Sequence, residues 1–129
     1  MDNIEESPNT RPVSPHLQIY RLTVSMIMSV AHRLSGLALY FGVSFLFIWF
    51  LSIIFGPETY DRFSAILSTN LLQAVFFFFT WSFFHHLFGG IRHFIWDLVY
   101  GFGLRSVDFL AIMTFVLSLL STILIFILT

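Results

Sequence analysis

The side chains able to do chemistry gather in two short segments. In the first, Ser29, His32, Arg33 and Ser35 fall within two helical turns. In the second, His85 and His86 are followed by Arg92, His93 and Asp97. At helical spacing His86, Gly90, His93 and Asp97 form one stripe. Ser29, Arg33 and Gly36 form another, and Ala31, Ser35, Ala38 and Gly42 a third, of small residues suited to close helix packing. Neutral imidazole is a common metal ligand and an axial ligand of haem iron. A glycine one turn from such a histidine leaves room for a flat macrocycle. An arginine can pair with carboxylates such as haem propionates, or hold a polar head group. A serine hydroxyl beside it can hydrogen-bond a quinone carbonyl. Spacing alone leaves haem, quinone and a proton path open.

The elements that position these residues must sit in lipid. Of 129 residues, 57% are hydrophobic and 10% charged, and the mean hydropathy is +0.88. A soluble domain carries about 25% charged residues, and one this small cannot bury so much apolar surface. The net charge is −1 and lysine is absent, which argues against nucleic acid. Cysteine is absent too, which excludes disulfides and thiolate sites. The opening residues, with Asp2, Glu5 and Glu6, lack the basic start and early apolar run of a signal peptide.

Three runs carry no Asp, Glu, Lys or Arg: Leu34 to Pro57, Phe63 to Ile91 and Phe109 to Thr129. Each is at least about the 20 residues a helix needs to cross the hydrocarbon core. None alternates with a period of two, so helices are expected rather than strands. The expected fold is all-α: an integral membrane protein of one anchor domain over 1–129, with a polar segment over 1–25 and helices near 26–55, 65–98 and 107–128. Gly56-Pro57 is expected to end the first helix and Gly101-Phe102-Gly103 the second. No internal repeat is visible. Arg11, Arg21 and Arg33 precede or begin helix 1, and Arg92 and Arg105 flank the second loop. The positive-inside rule then puts the N-terminus on the cytoplasmic or matrix side.

Antiparallel neighbours bring the start of helix 1 level with the end of helix 2. His32 and Arg33 therefore share a membrane depth with His86, Arg92, His93 and Asp97. Clustered ionisable residues in a membrane usually mark a site. Plainer roles are available to the individual members. His85 reads as an interfacial histidine. Arg21 and Arg105 read as anchors that snorkel to the inner edge. Asp97 can pair with His93 one turn away or cap the helix end. Trp49 and Trp81 read as belt or packing residues.

Two segments carry a family resemblance. Ser29-Val30-Ala31-His32-Arg33-Leu34-Ser35-Gly36 resembles the helix 1 signature of the cytochrome b subunits of succinate dehydrogenase. His86-Leu87-Phe88-Gly89-Gly90-Ile91-Arg92-His93-Phe94-Ile95-Trp96-Asp97 resembles their helix 2 signature. Arg11-Pro12 and Ser14-Pro15-His16-Leu17 resemble the lead-in to helix 1. Helix 3 carries no motif.

The resemblance implies the large membrane-anchor subunit of respiratory complex II, in a bacterial cytoplasmic membrane or the mitochondrial inner membrane. In that family a flavoprotein subunit oxidises succinate, and electrons pass through an iron–sulfur subunit to ubiquinone. A haem b lies between this anchor and a second membrane-anchor subunit, with one histidine from each. The resemblance makes His86 the axial ligand, by its spacing to Gly90 and to Arg92-His93. It puts Ser29 and Arg33 at the quinone head group, and His32, Arg33 and His93 near the haem propionates. No succinate chemistry is implied for this chain itself.

Three rivals deserve statement. The anchor of a fumarate reductase would run the reverse reaction. A cofactor-free anchor would use the cluster only for docking. An ion-coupled transporter would want an acid near the midplane, and the acid weighed for that role, Asp97, sits at the inner end of helix 2.

Overall fold

The computed structural model describes residues 21–128. The lead-in motif and Arg11 lie outside the described residues. Four helices follow one another: α1 (Val24–Ile54), α2 (Pro57–Leu67), α3 (Asn70–Asp97) and α4 (Leu104–Leu128). α1, α3 and α4 are long and apolar enough to cross a membrane. At about 1.5 Å per residue each exceeds the roughly 30 Å hydrocarbon core. α3 is central and packs on both α4 and α1.

Where the sequence suggested a second helix over 65–98, the chain makes two. Residues 65–67 belong to the short α2, and α3 begins at Asn70. The break lies at Ser68-Thr69. Ser68 Oγ donates to Ala65 O at 2.8 Å and Thr69 Oγ1 to Ile66 O at 2.8 Å. These hydroxyls satisfy the last carbonyls of α2 and so offer the backbone an alternative to continuing. α2 is set off from α1 by Gly56, at φ 100°, with Pro57 in its first turn. Its exposed surface carries the Arg62–Glu58 ion pair at 2.7 Å.

α3 ends before the expected glycines. Val99 N donates to Trp96 O at 2.8 Å and Tyr100 N to Ile95 O at 3.3 Å. That is the bond pair of a Schellman motif, which wants a left-handed residue at its turn. Val99 fills the position at φ 63°. A β-branched residue there is strained, at a cost of about 1–3 kcal/mol. Val99→Gly is therefore expected to stabilise the protein by about 1 kcal/mol after its own entropic cost is deducted. Thermal unfolding in detergent checks this, and an unchanged or lower midpoint would contradict it. α4 starts at Leu104 rather than 107, and it carries Asp108, a second acid at the same end as Asp97.

The interior is polar and the surface apolar, the reverse of a soluble bundle. Ala111 is the one hydrophobic residue buried among those described. Ser35, Ser52, Ser82, Thr114, Ser118 and Thr122 are also buried. Each hydroxyl donates to a carbonyl three or four residues back, at 2.6–2.8 Å. Small residues with self-satisfied hydroxyls let helices approach closely without leaving a polar group to hydrocarbon. Phe41, Phe47, Phe50 and Phe78 face outward instead, where lipid tails solvate them.

α1 packs on α3 through its small-residue stripe. Ser35 and Gly42 are buried there. A Cβ on Gly42 would overlap the Phe79 ring. Phe45 meets Phe76 edge-on at 5.1 Å.

Candidate functional site

The two histidine segments meet where α1 crosses α3. The imidazoles of His32 and His86 stack with centroids 4.3 Å apart and planes 1° from parallel. Their hydrogen bonds are reciprocal. His32 Nε2 donates to His86 O at 3.2 Å, and His86 Nδ1 donates to His32 O at 3.2 Å. A carbonyl only accepts, so each of these ring nitrogens carries the proton. His86 Nε2 is then the lone-pair nitrogen, and it makes no hydrogen bond among the described residues. The His93 ring stands 5.3 Å from that of His32, tilted by 55°, and edge-on to Trp96 at 5.2 Å.

Two glycines make the crossing possible. A Cβ on Gly36 would come within 2.9 Å of His86 Cε1. A Cβ on Gly89 would come within 2.1 Å of His32 Cδ2, less than any real contact. Gly89 was not singled out from the sequence, although it lies one turn from His86. Gly90, read there as the open position, meets nothing within 4 Å.

Ser29 and Arg33 lie on a different side of α1. Both are exposed, and Arg33 Nε donates to Ser29 O at 3.4 Å. They line an open groove of about 600 Å³ with Leu22, Met26, Ile27 and Val30. Its described lining comes from residues 22–34. Among the described residues neither side chain bonds to a histidine. The structure thus separates a histidine crossing from a groove with a hydroxyl and a cation.

His85 is not an interfacial histidine. It is fully buried between α3 and α4, stacked on Trp81 at 5.1 Å. Ser118 Oγ, which donates to Phe115 O, lies 3.4 Å from His85 Nδ1 and can accept its proton. One helical residue turns the side chain by about 100°, so the adjacent histidines serve opposite interfaces. Arg92 is also buried, with its guanidinium 5.0 Å from the Trp96 ring centroid. The buried line of α3 is Ser82, His85, Gly89 and Arg92. Within it Gly89 meets His32 on α1, while His85 meets Ser118 on α4, whose buried line is Ala111, Thr114, Ser118 and Thr122. The three- and four-residue spacing of small hydroxyl residues in the last helix is the signal for it. Asp97 is exposed and makes no ion pair with His93 among the described residues.

The donor set fits a metal that arrives already coordinated. No three His, Cys, Asp or Glu side chains converge on one point among the described residues. One imidazole offers a free Nε2, its Nδ1–H is held by a carbonyl as metal-binding histidines usually require, and the surface at Gly90 is open. A haem brings four ring nitrogens and needs only axial ligands from protein.

Fold and site together define an integral membrane protein with three spans and a histidine pair at one helix crossing. Residues 7–125 match the family described as succinate dehydrogenase/fumarate reductase transmembrane subunit. The chain is 38% identical over 124 residues to the succinate dehydrogenase cytochrome b556 subunit of Rickettsia felis, covering 95% of this chain and 96% of that one. It is 36% identical over 124 residues to the corresponding subunit of Rickettsia prowazekii, with the same coverage. It is 35% identical over 123 residues to the mitochondrial cytochrome b560 subunit of Mus musculus, covering 92% of this chain and 71% of the mouse protein. The chain belongs to the succinate dehydrogenase/fumarate reductase transmembrane subunit family, as a relative of its cytochrome b members.

Proposed function

We propose that this chain is the cytochrome b anchor of a succinate:quinone oxidoreductase. It holds haem b through His86 and ubiquinone through Ser29 and Arg33. It passes electrons from the iron–sulfur subunit to quinone. The observation that carries this is the state of His86: Nδ1–H held by the His32 carbonyl and Nε2 left free. Relatives named as cytochrome b subunits of succinate dehydrogenase support it.

Haem, when bound, supplies one-electron transfer. His86 would hold the iron, and His32, His93 and, from the groove side of α1, Arg33 would hold the propionates. In the groove, the Ser29 hydroxyl donates to a quinone oxygen. The Arg33 guanidinium stabilises negative charge as the ring is reduced. Protons enter from the inner aqueous side. No residue on this chain is assigned to carbon chemistry, which belongs to the flavoprotein subunit.

A second membrane anchor follows from the open sides of the site. A second imidazole for the iron would come from that subunit, and ligation by two histidines would suit electron transfer. Arg21, Arg33, Arg92 and Arg105 gather where α1 starts and α3 ends, which supports placing that end on the cytoplasmic or matrix side. The membrane is the bacterial cytoplasmic or the mitochondrial inner membrane.

The test is a reduced-minus-oxidised visible spectrum of the complex purified in mild detergent. A b-type signal that added succinate reduces is expected. An intact complex without haem would overturn the role of His86. The family description also covers fumarate reductases, and the ratio of succinate oxidation to fumarate reduction in the same preparation fixes the direction.

A further inference from the structure

We propose that Ser35 is a positioning residue for the haem ligand. Its hydroxyl, with the His32 carbonyl, holds the proton on His86 Nδ1 and so directs the Nε2 lone pair to iron. This rests on the reading of His86 as that ligand.

Ser35 is buried, at 3% exposure. Its Oγ donates to His32 O at 2.7 Å. The same Oγ lies 3.2 Å from His86 Nδ1. The hydroxyl hydrogen is committed to the carbonyl, so toward His86 the oxygen can only accept. The Nδ1–H is therefore shared between two acceptors, His32 O and Ser35 Oγ, each at 3.2 Å. Both acceptors sit on α1, while the imidazole sits on α3. The ring reaches them because Gly36 lacks a Cβ beside His86 Cε1. One short stretch of α1, residues 32–36, thus provides both acceptors and the space to use them.

Two effects follow from general chemistry. A proton fixed on Nδ1 excludes the other neutral tautomer, in which Nε2 is blocked. Hydrogen bonds accepted from Nδ1–H raise the basicity of the imidazole. A more basic axial ligand favours ferric over ferrous iron and lowers the midpoint potential. Losing one of the two acceptors should therefore raise it. A serine that only bonds to its own helix, as Ser52 and Ser82 do, would leave the potential unmoved.

The experiment is an optical redox titration of the haem band in the assembled wild-type, Ser35→Ala, Ser35→Cys and Ser35→Thr complexes. Ser35→Ala is expected to keep its haem and titrate at a higher potential. Ser35→Thr restores the hydroxyl and should return the wild-type value. Ser35→Cys keeps the size but accepts weakly, so it should follow Ser35→Ala and provides the reading if alanine fails to assemble. Unchanged potentials in Ser35→Ala and Ser35→Cys would overturn the role of Ser35 while leaving His86 as ligand. A haem-free wild-type complex would overturn both readings, a result distinct from the first.

Discussion

Replacing His86 with leucine is expected to abolish the b-type haem spectrum of the assembled complex, and replacing His85 with leucine to leave it in place. The two histidines are neighbours in sequence and identical in chemistry, so the contrast rests on geometry alone. His86 faces α1 with Nε2 free. His85 faces α4, fully buried, with Ser118 at 3.4 Å and no partner for its Nε2 among the described residues. No macrocycle can reach His85 without parting α3 from α4. Leucine at 86 removes the only nitrogen that this chain is proposed to offer the iron. Leucine at 85 removes one long hydrogen bond and, with it, an unsatisfied buried nitrogen. These changes largely offset each other, and stability should shift by about 1 kcal/mol or less. Visible spectra of the two variants, normalised to flavin content, decide the matter. A spectrum lost with His85→Leu and kept with His86→Leu would exchange their roles.

The spans were legible in the sequence because lipid imposes a coarse rule: about 20 residues without charge. The break at Ser68-Thr69 was not. It falls within a charge-free run, and only hydroxyl bonds to Ala65 and Ile66 reveal it. The end of α3 was legible, near 98 against an observed Asp97, but its turn residue was not. Glycine is the usual left-handed residue, so Gly101 was expected at the turn, whereas Val99 carries it under strain. The meeting of His32 with His86 followed from antiparallel packing and one shared depth. Which nitrogen carries the proton did not, because a tautomer depends on which carbonyl lies across the interface. The burial of His85 and Arg92 was not legible, because residue type alone does not say whether an ionisable side chain on an apolar helix lies at an edge, at a cofactor or in the bundle interior. In a bundle whose outside is apolar, the interior is where polar side chains go.

Ser29→Ala and Arg33→Leu are expected to lower succinate:quinone reductase activity while succinate oxidation by an artificial acceptor continues at the wild-type rate. The separation follows from the division of labour proposed above. Neither residue bonds to the histidine pair among the described residues, and both are exposed on α1. Neither substitution should disturb the α1–α3 crossing, which depends on Ser35, Gly36, Gly42 and Gly89. Arg33→Leu should be the more severe. It removes a charged donor facing a ring that gains negative charge on reduction, worth about 1.5–3 kcal/mol, or roughly 10- to 100-fold in rate. Ser29→Ala removes a neutral donor, worth about 0.5–1.5 kcal/mol, and should cost about tenfold at most. The haem spectrum of Ser29→Ala should be unchanged. Arg33→Leu also removes a cation proposed for the propionates, so a small fall in haem potential should accompany its loss of activity. Steady-state assays with a quinone analogue and with a water-soluble dye, run on the same preparations, read both rates. An equal fall in both would mean that the groove of Ser29 and Arg33 anchors the catalytic subunits rather than binding quinone. No fall in either would place the quinone on another face of the complex.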